Sequence, residues 1–343
     1  MSKSKLSWQL LRKIISWLLI TLVSLTTTIV IGGASIMIFM PGKSYAGELT
    51  PLSPSEQILQ AQLQADVEKI AGEIGEHNYR EYENLVAVAQ FLRQSFTDTG
   101  YQVNSQDYEV EGQIFTNLEV EIPGKDKADE IVIIGAHYDS VIGSPGANDN
   151  GTGVVAVLAL ARAFAGKETG RTLRFVQFTN EEQPFAHTEN MGSFVYAKRC
   201  RERGENVVAM LSLETMGYYS DEPGSQKYPL GLLERVYPIT GNFIAFVGNI
   251  ASRRLVKQVV GSFRNHVQFP SEGATLPDST PGAGWSDHWS FWQQGYSAMM
   301  VTDTAPFRYP YYHTAQDTPD QIDYGRLAKV IIGLEGVVTD LVK

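Results

Sequence analysis

The sequence predicts an α/β fold: a three-layer α/β/α sandwich around a mixed, mostly parallel sheet. Three observations support this reading. Short apolar runs alternate with helical patterns from Ile131 onward, the signature of a largely parallel sheet covered on both faces. The runs are too apolar for strands with one wet face. Polar and turn residues follow each run at once, which marks the strand ends.

The elements follow in chain order. Ser53-Pro54-Ser55-Glu56 carries helix-start signals, with Ile58, Leu59, Leu63, Val67 and Ile70 at helical spacing behind it. A second helix is expected from Tyr82 to Phe96, ending near Gly100. Tyr101–Val110 and Ile114–Ile122 read as two strands joined around Glu111-Gly112. Then come the strand IVIIGA, the helix VVAVLALARAFA, the strand TLRFVQFT, the helix SFVYAKRCRER and the strand VVAMLSLE. Residues 220–237, rich in Gly, Pro and Tyr, read as a surface loop. FIAFVGN is another strand, Ser252–Asn265 a helix, Gly295–Asp303 a late strand and Asp323–Val342 a closing helix.

Bulk properties limit the function. The 343 residues are 43% hydrophobic and 19% charged, enough for a sizeable core. A net charge of -10 argues against a nucleic-acid binder, which would neutralise phosphates with Lys and Arg. Cys200 is the single cysteine. No intrachain disulfide can form, and any metal must be held by His and carboxylates.

The N-terminus reads as a membrane address. Lys3, Lys5, Arg12 and Lys13 precede an almost uncharged run over residues 14–40. That is longer than the roughly 20 apolar residues a transmembrane helix needs. Basic residues ahead of it predict a cytoplasmic tip and a C-terminal domain outside the cytoplasm, periplasmic or extracellular. The alternative is a signal peptide cleaved near Ala46, since Ser44-Tyr45-Ala46 is a small-x-small site. The chain then divides into residues 1–46 (tip and anchor), 47–80 (linker and leading helix) and 81–343 (the main domain).

Metal-ligating residue types gather where the strands end. His137 and Asp139 follow IVIIGA, Asp149 lies in GANDNGTG, Glu181 and Glu182 end RFVQFTN, and Glu214 ends VVAMLSL. Asp287 and His288 stand in GWSDHWSFW, and His313 in YPYYHTAQDTPD. Singly, each has a plain structural reading: a hydrogen-bonded histidine, a helix cap at Asp149, a solvated glutamate pair. Glu214 is harder to set aside, because burying an unpaired carboxylate is costly. Together they fall on one edge of a parallel sheet, where ligands bind. No Lys or Arg lies in these motifs to offset the acids, so a divalent cation is the expected counter-charge. Two imidazoles with three or four carboxylates exceed one tetrahedral site and suit two metals sharing a bridging carboxylate. Mixed N and O ligands favour zinc, with manganese or cobalt as alternatives.

HYDSV, GANDNGTG, TNEEQPF, LSLETMGYY, SDHWSFW and YYHTAQDTPD, in this order, resemble the co-catalytic zinc aminopeptidase family. That family includes the secreted bacterial leucine aminopeptidases, with glutamate carboxypeptidases, glutaminyl cyclases and the transferrin-receptor ectodomain as relatives. The resemblance implies a zinc-peptidase/phosphorylase-like fold, two Zn2+ per chain and peptide substrates. It implies that His137, Asp149 and Glu214 hold one zinc. Asp149 would bridge to the second, completed by Glu182 and His313. Glu181 matches the general base, Tyr312 a tyrosine that polarises the scissile carbonyl, and Asp139 the carboxylate that orients the His137 imidazole. Asp287 and His288 are expected behind the ligands or facing substrate. A cis peptide is expected at Asp149-Asn150. Glu214 stands where the best-known aminopeptidases have Asp, and His187 stands close behind the glutamate pair, where a small or aromatic residue is expected.

The activity implied is a zinc-dependent exopeptidase, an aminopeptidase first. A carboxypeptidase, a glutaminyl-cyclase-like enzyme and a catalytically dead receptor-like ectodomain are the alternatives. Loops over Tyr218–Tyr237 and Glu272–Trp285 are expected to shape specificity.

Overall fold

The computed structural model describes residues 8, 12, 13, 15–17, 21 and 38–343. Most of the apolar run over residues 14–40 lies outside the described residues. Among those described, no helix is long and apolar enough to cross a membrane.

Met40–Lys343 form one compact unit. Its sheet has eight strands: β1 (Asn104–Val110), β2 (Gln113–Ile122), β3 (Gly124–His137), β4 (Thr169–Phe178), β5 (Asn206–Glu214), β6 (Ile244–Asn249), β7 (Ser271–Leu276) and β8 (Ala298–Thr302). Their spatial order is β1-β2-β4-β3-β5-β8-β6-β7. The central strands β4, β3, β5 and β8 run parallel. β2 is antiparallel to β4, and the parallel pair β6–β7 is antiparallel to β8. The sheet is therefore mixed, with a parallel centre and reversed flanks.

The alternation of side chains along β3 shows why two apolar faces are needed. Val132, Ile134 and Ala136 enter one core and Ile131 and Ile133 the other. The larger core holds α1 (Pro54–Val67), α2 (Tyr82–Asp98), α3 (Gly153–Phe164), α5 (Arg253–His266) and α7 (Tyr324–Leu341). The smaller core holds α4 (Gly192–Glu202) and α6 (His288–Gln293). Helix α3 is buried from Gly153 to Ala161, as expected of a helix apolar all round.

Helix α1 opens on a capping box: the Glu56 amide donates to Ser53 Oγ (3.3 Å) and the Ser53 amide to Glu56 Oε2 (2.7 Å). Leu63 and Val67 bury its inner face in the large core, so the leading helix belongs to the same compact unit as the strands.

One expectation is corrected. Ser271–Leu276 form edge strand β7 rather than the start of a loop. The motif SDHWSFW runs into a short helix, His288–Gln293. A further feature lies along the edge. The Ser271 amide donates to Ser44 Oγ (2.9 Å), and Arg264 Nη1 donates to the Pro41 and Gly42 carbonyls (2.9 and 3.3 Å). Residues 41–44 thus strap the start of β7.

Candidate metal centre

Four chain reversals bring the acids and imidazoles together. β3 ends at His137, and the loop after it returns through Gly146, whose φ of 70° suits glycine. The Gly151 amide closes this loop on the Gly146 carbonyl (2.9 Å). Asp149 is not a helix cap. α3 begins only at Gly153, where an added Cβ would stand 2.2 Å from the Leu213 carbonyl oxygen. Glycine is required there for the helix to start so close to β5. The Asp149-Asn150 peptide is cis.

Three of the turning points are non-glycine residues with positive φ: Asn180 (59°), Thr215 (41°) and His313 (58°). Each lies at or beside a site residue, as strained backbone at functional positions tends to. Asn180 separates β4 from the glutamate pair, which lets Glu181 and Glu182 diverge. Thr215, β-branched and costly in this region, is fixed by its amide donating to Asn150 Oδ1 (3.0 Å) and its hydroxyl on Thr302 Oγ1 (3.1 Å).

Two triads result. Ligand atoms of His137, Asp149 and Glu214 lie within 4.8 Å of one another, as do those of Asp149, Glu182 and His313. Asp149 belongs to both. His137 Nε2 is 3.2 Å from Glu214 Oε2 and 3.5 Å from Asp149 Oδ1. His313 Nε2 is 3.0 Å from Asp149 Oδ2 and 3.4 Å from Glu182 Oε1. Glu181 is in neither triad, with its Oε2 4.0 Å from His137 Nε2.

The site's own chemistry calls for a cation. His137 Nε2, Asp149 Oδ2 and Glu182 Oε1 are buried with no hydrogen-bond partner, an arrangement that is expensive unless something else satisfies them. His137 Nδ1 lies 3.0 Å from the Asp139 carbonyl oxygen. A carbonyl can only accept, so Nδ1 carries a proton, and Nε2 is the nitrogen that faces the triad. Burial, reinforced by the Asp149 charge, pushes Glu182 up to about 7. Burial, with Glu182 and Glu214 adding to it, raises Glu181 well above the carboxylate range. Burial opposes protonation of His313, but Asp149 and Glu182 outweigh it and bring it to about 10. The residues fit a divalent metal centre.

The predicted Asp139 role divides. Its carbonyl orients the imidazole, while its carboxylate stands 3.6 Å from Nδ1. That carboxylate instead accepts from the Glu181 amide (3.0 Å, Oδ1) and the Glu182 amide (3.1 Å, Oδ2). It positions the pair, not the ring. Tyr312 stacks on His313 with centroids 3.8 Å apart, whereas Tyr311 stands edge-on to Tyr309. Asp287 is fully buried with both oxygens unpartnered, and burial pushes it up to about 7. His187 and His288 lie elsewhere: their Nε2 atoms are each 2.8 Å from a loop carbonyl, of Gly284 and Ala283 respectively. His187 also stacks on Trp289.

Sequence reasoning missed the residues that hold the ligands. Asp317 accepts from the Asn148 amide (2.8 Å), the Asp149 amide (3.1 Å) and the Tyr309 hydroxyl (2.8 Å). Ser286 donates to Glu214 Oε2 (2.7 Å). Asn150 joins the loop to β5 by donating to the Leu213 carbonyl (2.8 Å). All three lie within or beside the motifs GANDNGTG, SDHWSFW and YYHTAQDTPD. Proximity to a ligand in sequence was the available signal.

The family model described as "Peptidase family M28" matches residues 117–335, a span that contains every ligand candidate. The chain belongs to peptidase family M28. Relatives of this M28 peptidase include Escherichia coli K12 YfbL, 35% identical over 265 residues, covering 75% of this chain and 80% of YfbL. A probable leucine aminopeptidase 1 of Trichophyton verrucosum is 27% identical over 241 residues, 65% of this chain and 57% of that one. Among solved structures, the zinc aminopeptidase BSAP of Bacillus subtilis superposes with a TM-score of 0.66 at 16% identity, over 83% of this chain and 95% of BSAP. A Fimbriiglobus ruber glutaminyl cyclase gives 0.60 at 18%, over 88% and 99%. These likenesses establish the M28 fold.

Proposed function

We propose that this M28 peptidase is a zinc-dependent aminopeptidase with two cations per chain, one held by His137, Asp149 and Glu214 and the other by Asp149, Glu182 and His313. The observation that carries the reading is the shared Asp149, with a carboxylate outside both triads, Glu181, 4.0 Å from His137 Nε2. When bound, zinc makes water acidic and draws electron density from a carbonyl oxygen. Glu181 Oε takes the proton of the attacking water and later delivers it to the departing amine. The Tyr312 hydroxyl, on a ring fixed by stacking on His313, donates to the developing oxyanion.

An amino terminus is favoured over a carboxyl terminus by charge. The cavity beside the centre is bordered by Glu214 and Tyr312, and among the described residues no Lys or Arg lines it. A substrate carboxylate would find no basic side chain to pair with there, whereas an amino group would find carboxylates. Assay of the metal-loaded chain on a panel of free and N-blocked aminoacyl peptides tests this. Cleavage of the free series only is expected. Cleavage of the blocked series only, or cyclisation of N-terminal glutamine without hydrolysis, would overturn it.

We further propose that the chain is exported and keeps its N-terminal anchor. The support is that Pro41 and Ser44, which precede the expected cleavage point near Ala46, are hydrogen-bonded to the folded unit. Intact mass of the mature protein from the membrane fraction should include residues 1–46. An N-terminus at Gly47 would refute retention.

A further inference from the structure

The cavity beside the metal centre is built on the part of the sheet that loops cover. One row of cross-strand neighbours forms its floor. Glu214 on β5 pairs with Thr302 on β8, Thr302 with Ala245 on β6, and Ala245 with Glu272 on β7. All four line the cavity. Three strand spacings separate the two glutamates, about 14 Å between backbones at about 4.8 Å per step. Between them the floor is small and uncharged.

The walls are apolar despite their hydroxyls. Tyr228 and Tyr237 stack with centroids 6.0 Å apart. Their hydroxyls are already engaged, donating to the Pro238 carbonyl (2.6 Å) and the Gly273 carbonyl (2.9 Å), and both residues line the cavity. Glu272 is thus an acid at the far end of an apolar channel. It forms no ion pair among the described residues. Arg264, the one basic group that perturbs it, gives its donors to Ser271 Oγ, the Ser271 carbonyl and the Pro41 and Gly42 carbonyls instead. Ser44 supplies a hydroxyl beside it, and burial still leaves its carboxyl raised above the ordinary range.

We propose that this cavity selects an N-terminal lysine or arginine, whose stem lies along the floor and tyrosine rings and whose cationic head meets Glu272. The inference rests on the aminopeptidase reading above. A four-carbon stem with a charged tip suits a channel that is apolar along its length and acidic at its end. The centre at Glu214 fixes the substrate's amino terminus at one end of the row, and the register fixes the acid at the other.

The test compares lysyl and norleucyl 4-nitroanilides, which differ only in the ε-ammonium group, on the full metal-loaded chain and on Glu272→Gln. A charged hydrogen bond predicts a kcat/KM preference for lysyl of about 10–100-fold in the native protein, falling to near parity in Glu272→Gln. The ratio is internal to each preparation, so loss of folded protein cancels from it. A native preference for norleucyl, or a ratio unchanged by Glu272→Gln, overturns the inference and leaves the aminopeptidase reading standing. If neither compound is cleaved while N-blocked peptides are, the aminopeptidase reading falls and takes this inference with it.

Discussion

Replacing Glu181 with glutamine should lower kcat by about 10²–10⁴-fold while metal content stays at the native level. Glutamine keeps the shape of the side chain but cannot accept a proton at Oε. Glu181 lies outside both triads, so its loss removes no ligand. Its amide remains held by Asp139 Oδ1 in either form. Metal analysis alongside steady-state kinetics separates the two effects. Near-native turnover in Glu181→Gln would falsify the base assignment, and loss of metal would make Glu181 a ligand.

Asp149→Ala should empty both positions together, whereas Glu182→Ala or Glu214→Ala should weaken one more than the other. Asp149 is the only residue common to the two triads, so no single substitution elsewhere among the described ligands can have this double effect. Activity should fall by at least the same order as for the base, about 10²–10⁴-fold. Asp317→Asn is the graded counterpart. It keeps Asp149 but disturbs the carboxylate that receives two loop amides, and should cost about 10–100-fold in metal affinity. Uptake should also depend on pH with a definite sign. In the metal-free site Glu182 titrates at about 7 and His313 at about 10. Both must lose a proton to bind a cation, so affinity rises as pH rises through these values and falls as it drops. Calorimetric titration with zinc at several pH values, with proton release measured, checks this. A Glu182-independent affinity across pH 6–8 would count against the second position.

The parallel half of the molecule was legible because its physics is local. IVIIGA, RFVQFT and VVAMLSL are strands on both faces apolar, so their carboxyl ends could be located and the residues just beyond them collected into one site. The antiparallel half was not legible in that way. β7 runs opposite to β5, so its beginning, not its end, lies level with Glu214. Glu272 is the second residue of its strand, where a rule about carboxyl ends does not look. Its sequence SEGATL is also small and polar, with little to distinguish it from a loop. Asp317 escaped for another reason: it acts through backbone amides, and nothing in a sequence shows which amides a carboxylate will meet.

The reversed flank has an evolutionary consequence. The groups assigned to bond cleavage come from β3, β4, β5 and the loop carrying His313, whereas the far end of the cavity comes from β6, β7 and the loops over them. Appetite for one side chain or another can therefore drift through Ser271–Leu276 without disturbing the cutting machinery. A one-residue insertion in β7 would turn every side chain of that strand to the opposite face, swapping Glu272 for a neighbour in a single step. Such a sheet divides a protease into a part under strict inheritance and a part free to follow the diet.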